Sequence, residues 1–188
     1  MRFGLRIWLR LAAIGLTTVL VQIGAVSQVS LFGVSADLVP LVVVSVGLLL
    51  GSTAGATMGF AVGLFVDVAL LQTLGLSSLL LLTVGYGAGR LRELRDPSNT
   101  LTPIAAGAAA TAAAGIGFSV LQFLLGAESQ VSPWLVADVV AATVLNAALA
   151  LPVYVLVRRL LGDLLPGDPR RRRRRAYMTG GLSPISRG

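Results

Sequence analysis

Long apolar runs dominate the chain, and charged residues fall almost only between them. The run from Leu11 to Val26 follows Arg2, Arg6 and Arg10. Next come Leu38 to Leu71, with Asp67 as its one charged residue, then Leu74 to Gly89, then an alanine-, glycine- and threonine-rich stretch from Leu101 to Gly126, and finally Trp134 to Leu161. A helix needs about 20 residues to cross the hydrocarbon core, so 38–71 is long for one span and short for two. Charge breaks the tie. Short cytoplasmic loops collect arginine, and Arg90, Arg92 and Arg95 share a side with the first arginines only if 38–71 turns once, near Gly51 and Ser52. The pattern predicts an all-α integral membrane protein, a six-helix bundle with helices at about 7–27, 38–50, 52–71, 74–90, 101–126 and 134–161. Both termini are then cytoplasmic, and residues 163–188 form a disordered basic tail.

The first run also resembles a signal peptide, with Ala25-Val26-Ser27 as a faint cleavage site. Ile7 and Trp8 extend it toward spanning length, which favours a retained helix.

Composition narrows the chemistry. The chain has 188 residues, 55% of them hydrophobic and 12% charged, with a mean hydropathy of +0.86, too apolar for a soluble domain. Cysteine, histidine and lysine are absent, and all 15 basic residues are arginine. Thiol nucleophiles, disulfides, Cys/His metal sites, imidazole bases and lysine-dependent catalysis are therefore closed, and no metal or cofactor is implied. The net charge of +7 does not point to nucleic acid, because the arginines sit at segment ends and in the tail. The run Arg170, Arg171, Arg172, Arg173, Arg174, Arg175 suits anionic lipid headgroups, each residue contributing about 1 kcal/mol near the surface; a solvated charge block is the plainer alternative.

One stretch stands out, GSTAGATMGFAVGLFVD from Gly51 to Asp67. Gly51, Gly55, Gly59 and Gly63 recur every fourth residue and Asp67 takes the next place, so a helix here carries a stripe without side chains that ends in a carboxylate. The glycines alone fit a packing seam. The acid adds a partner, a cavity or a polar neighbour, because a carboxylate in an apolar setting is costly. Gln22, Asp37, Gln122 and Asp138 fall at similar depth and describe an outer polar cluster, while the inner halves are apolar apart from Asn146. Two intramembrane aspartates invite comparison with an aspartyl protease, but LFVDVA and LVADVV lack the tyrosine-aspartate and glycine-x-glycine-aspartate settings of those enzymes. A first-turn cap explains Asp138 more simply.

Taken in order, Asp37-Leu38-Val39-Pro40, Gly51, Gly55-x-x-x-Gly59-Phe60-x-x-Gly63-Leu64-x-x-Asp67, Thr73-Leu74-Gly75-Leu76 and Gly85-Tyr86-Gly87-Ala88-Gly89-Arg90 resemble the MreD family of rod shape-determining membrane proteins. Ala36 stands where that family commonly has proline, and the arginine tail has no counterpart in the motif. The resemblance implies a non-enzymatic scaffold of the bacterial elongation (rod) complex in the cytoplasmic (inner) membrane. Its partner would be MreC, in a larger assembly with MreB, RodA and a class B penicillin-binding protein. It also implies a fold similar to the substrate-binding components of energy-coupling-factor transporters. Carried onto this chain, the partner-binding residues are Gly51, Gly55, Gly59, Phe60, Gly63 and Asp67, with Gly75 and Tyr86 supporting the neighbouring helix. A second reading from another class is a small-solute-binding transport component whose outer polar cluster holds the ligand.

Overall fold

A computed structural model of the protein describes residues 4–24, 30–31, 34–35, 37–71, 73–94, 101–124 and 133–162. Arg170 to Arg175 lie outside the described residues, as do the side chains of Gln122 and Asp138. Six helices occur in the order α1 (Leu5–Gly24), α2 (Leu38–Leu50), α3 (Ser52–Ala69), α4 (Leu76–Leu94), α5 (Leu101–Leu124) and α6 (Pro133–Leu160). Between α1 and α2 the two-residue strands β1 (Ser30–Leu31) and β2 (Val34–Ser35) pair antiparallel. Among the described residues, four helices are long and apolar enough to cross a membrane: α1, α3, and the apolar parts of α5 and α6. The protein is a multi-pass membrane protein with a helical bundle.

The bundle is arranged around its shortest member. With 13 residues, α2 rises roughly 20 Å, well under the hydrocarbon thickness. Every residue from Val39 to Leu50 is buried, as expected of a helix apolar on all sides. One side of α2, including Val43, Val46 and Leu50, packs into a core with Leu11 and Val19 of α1, Met58 and Val62 of α3, and Val157 of α6. Its other side, Val44 and Leu48, meets Ala88 of α4 and Ala106 and Ala110 of α5. The sequence sets the start of α2 plainly. Asp37 is the N-cap and accepts a hydrogen bond from the Val39 amide at 3.2 Å, and Pro40 sits in the first turn, where a missing N–H is tolerated. Gly51, at φ 100°, ends α2 and starts α3, a left-handed backbone that suits a residue without Cβ.

Side-chain contacts fix which helix ends lie together. At one end Arg10 of α1 donates to the Leu160 carbonyl of α6 at 3.3 Å, and Glu93 of α4 meets Ser52 of α3. At the other end Gln22 of α1 accepts from the Leu38 amide of α2 at 2.9 Å, and Asp67 of α3 reaches the start of α4. The described arginines, Arg6, Arg10, Arg90, Arg92, Arg158 and Arg159, therefore belong to one end of the bundle. The two ends of the helical region, the start of α1 and the end of α6, share it.

Candidate functional site

The glycine stripe packs against α4 of the same chain. A Cβ on Gly55 would meet the Gly85 carbonyl, one on Gly59 the Leu81 carbonyl, and one on Gly63 the backbone of Ser78 at 2.5 Å. From the other side, a Cβ on Gly85 would strike Gly55 and one on Gly89 would strike Ser52. Gly47 of α2 joins the crossing, its Cβ position 2.7 Å from the Gly85 carbonyl. Three backbones thus touch where Gly47, Gly55 and Gly85 meet, which only residues without side chains permit. The expectation that Gly55, Gly59, Gly63 and Asp67 form an open face for another protein is corrected here, because α4 already fills that face. Gly51 is buried in the turn beside Glu93 and Arg92. Phe60, 49% exposed, points away from the seam with Leu64, Phe65 and Val68, and Tyr86 is likewise 47% exposed, facing out rather than supporting α3.

Asp67 is fully buried, and its carboxylate caps α4. The Gly75 amide donates to Oδ2 at 2.8 Å, the Ser77 amide to Oδ1 at 3.1 Å, and the Ser78 hydroxyl to Oδ2 at 3.4 Å. A helix start leaves amides unpaired and carries partial positive charge, so an anion there answers both needs. Gly75, at φ 96°, bends the chain so that its amide faces the acid. The opposite end of the seam repeats the device with the roles exchanged. Oε1 of Glu93, in the last turn of α4, accepts from the Ser52 hydroxyl at 2.6 Å and the Ser52 amide at 3.2 Å, at the first residue of α3. Oε2 of Glu93 pairs with Arg90 at 3.2 Å. The Ser52 hydroxyl, then its amide, then Arg90 hold the exposed Glu93 carboxyl below its ordinary range. Each helix of the α3–α4 hairpin thus ends in a carboxylate that caps the other. A second Gly-x-x-x-Gly, Gly85 to Gly89, was the sequence signal for this pairing, since two complementary stripes in adjacent helices satisfy each other.

Beside this seam, toward the arginine-poor end, lies a cavity of about 410 Å³ walled by side chains from all six helices. Gln22 and Asp37 of the expected polar cluster both border it, together with Ser77 and Thr111. Asn146, expected among inner apolar residues, belongs with this group. Its Oδ1 accepts from the Asp37 amide at 3.1 Å, and its Nδ2 donates to the Thr111 hydroxyl at 3.2 Å. The reason is the length of α6: the start of α2, level with Gln22 near the end of α1, meets the middle of this 28-residue helix, which runs on past it. Asn146 is fully buried, so these bonds satisfy groups that would otherwise cost about 1–3 kcal/mol each. Most of the remaining wall is apolar, with Val19, Val66, Leu80 and Phe118 among its residues.

Comparison with curated proteins and with solved structures gives no match. The model of one protein family, described as rod shape-determining protein MreD, matches residues 1–162, a stretch that contains all six helices. That match covers the hairpin, its capping acids and the cavity. The chain therefore belongs to the MreD family of rod shape-determining proteins.

Proposed function

We propose that this protein is a non-enzymatic membrane scaffold of the bacterial elongation complex. It binds MreC and helps couple cytoplasmic MreB to peptidoglycan synthesis by RodA and a class B penicillin-binding protein. The observation that carries the reading is the family match over residues 1–162. The arginine-rich end faces the cytoplasm of a cytoplasmic (inner) membrane, in keeping with the retention of arginine on that side, and Arg170 to Arg175 lie against anionic headgroups. The bundle plan is that of the substrate-binding components of energy-coupling-factor transporters, for which a cavity walled by six helices is the supporting feature.

The docking face for MreC is the side of α3 turned away from the seam. Phe60, Leu64 and Phe65 are exposed there, and Phe65 continues into an apolar groove between α1 and α3 floored by Gly15, Ala61 and Val62. A photoreactive phenylalanine analogue at position 60 or 64 is expected to cross-link MreC, whereas one at Val140 or Val144 of α6 is not. Phe60→Ala with Leu64→Ala should lower MreC recovered on co-purification by about tenfold, roughly 1.4 kcal/mol of binding, with the unfolding temperature unchanged. Full recovery of MreC with that pair would remove α3 from the interface.

A further inference from the structure

The geometry points to a ligand site in the six-walled cavity, and we propose that it holds a membrane-partitioned amphiphile with an apolar body and an uncharged or cationic hydrogen-bond donor, an alcohol or a primary amine, at its polar end. The cavity is half-open to its surroundings, and its volume of about 410 Å³ is of the size that small-molecule sites occupy. Water alone fits it poorly. A buried water needs two or more polar partners, and these are confined to the part bordered by Gln22, Asp37, Ser77 and Thr111, while Val66, Leu80, Phe118 and their neighbours offer none.

The polar part selects the head group. Oδ1 of Asp37 accepts from the Val39 amide, and its Oδ2 has no partner among the described residues, so an acceptor is on offer beside the apolar space. The Thr111 hydroxyl already donates to the Gly107 carbonyl at 3.0 Å and receives Asn146, so it too favours a donor over an acceptor. An anionic head finds no cationic partner, since every described arginine lies at the opposite end of the bundle, and it would face the Asp37 carboxylate. Phosphate- and carboxylate-headed lipids are therefore selected against, although they share the apolar body. This inference needs only the cavity and stands apart from the assignment of the MreC face.

The test uses the full chain in phosphatidylcholine nanodiscs and a decanol that carries a diazirine. Illumination is expected to label α5 around Ala114 to Phe118, with decanol and decylamine competing and decyl phosphate not competing. Ala114→Leu and Ala142→Leu, on two different walls, should each reduce labelling about tenfold at unchanged unfolding temperature, and Asp37→Asn should weaken competition by decylamine about tenfold more than competition by decanol. Competition by decyl phosphate as effective as that by decanol would reveal nonselective lipid filling and overturn the proposal, as would absent labelling or labelling that persists in both leucine variants. The wild-type competition series decides between donor and anionic heads even if a variant misfolds.

Discussion

Along the α3–α4 seam, glycines bring two backbones into contact, and the ends are closed by Asp67 and Glu93. Across the cavity, Ala114 and Gly115 of α5 and Ala142 of α6 are as small, yet they border about 410 Å³ of space. The difference lies in what faces them. Glycines of α3 face the α4 backbone at Gly85, Leu81 and Ser78, and glycines of α4 face the α3 backbone at Gly55 and Ser52, so the two helices nest, whereas the small residues of α5 and α6 border space that the short α2 does not fill. A small residue thus closes a gap only when a backbone is there to approach it; otherwise it leaves room.

Substitution at the seam should show the largest effect. Gly59→Leu places a side chain in the α4 backbone, which cannot yield as a flexible side chain does. The loss should exceed the roughly 1–3 kcal/mol of ordinary overpacking and abolish a monodisperse folded species on size-exclusion chromatography. Gly87→Leu, on α4, where an added Cβ meets nothing within 4 Å, is the control and should unfold within a few degrees of wild type. Equal damage from both would mean that glycine acts through backbone conformation and not through contact.

The caps come second. Asp67→Ala leaves two amides and a hydroxyl without their acceptor and should cost about 1–3 kcal/mol for the unpaired set, read as a lowered midpoint of unfolding in mixed detergent. Asp67→Asn, which keeps acceptor oxygen, should lose less. On the cavity side, Asn146→Leu removes the acceptor for the Asp37 amide and the donor to Thr111, with an expected loss of about 1–2 kcal/mol. If it destabilised more than Asp67→Ala, the cavity wall and not the seam would be the stiffer region.

Glu93 should give the smallest effect, because it is exposed and solvent screens it. Its carboxyl is lowered in the folded protein, so its contribution is present above the ordinary carboxylate range and is lost as the pH falls through the lowered value. Glu93→Gln should flatten the acid side of the stability profile slightly and leave neutral pH almost unchanged.

Much of the architecture was legible in the residues. Apolar runs and arginine placement predict six helices with a turn at Gly51, since lipid demands internally satisfied helices and Gly51 supplies the one backbone shape that reverses direction there. The stripe from Gly55 to Gly63 was legible as a close-contact face; its occupant was not. One helix's sequence does not say whether the approaching backbone comes from the same chain, and Gly85 and Gly89 hold that information 30 and 37 residues on from their partners Gly55 and Ser52. Asp67 was readable as a costly acid, while its donors became apparent only through the Gly75 bend. Depth misled for Asn146, because counting along α6 presumes that all helices end at one level, and the 28-residue α6 runs past the start of α2.

The bond between the start of α2 and the middle of α6 bears on how the chain is made. The Asp37 amide takes its acceptor from Asn146, 109 residues later, so the central helix is left with an open bond throughout synthesis of α3, α4 and α5. A nascent chain halted before α6 would hold an incomplete axis, vulnerable to membrane proteases, and the sixth helix is the one that completes the first turn of the helix at the centre.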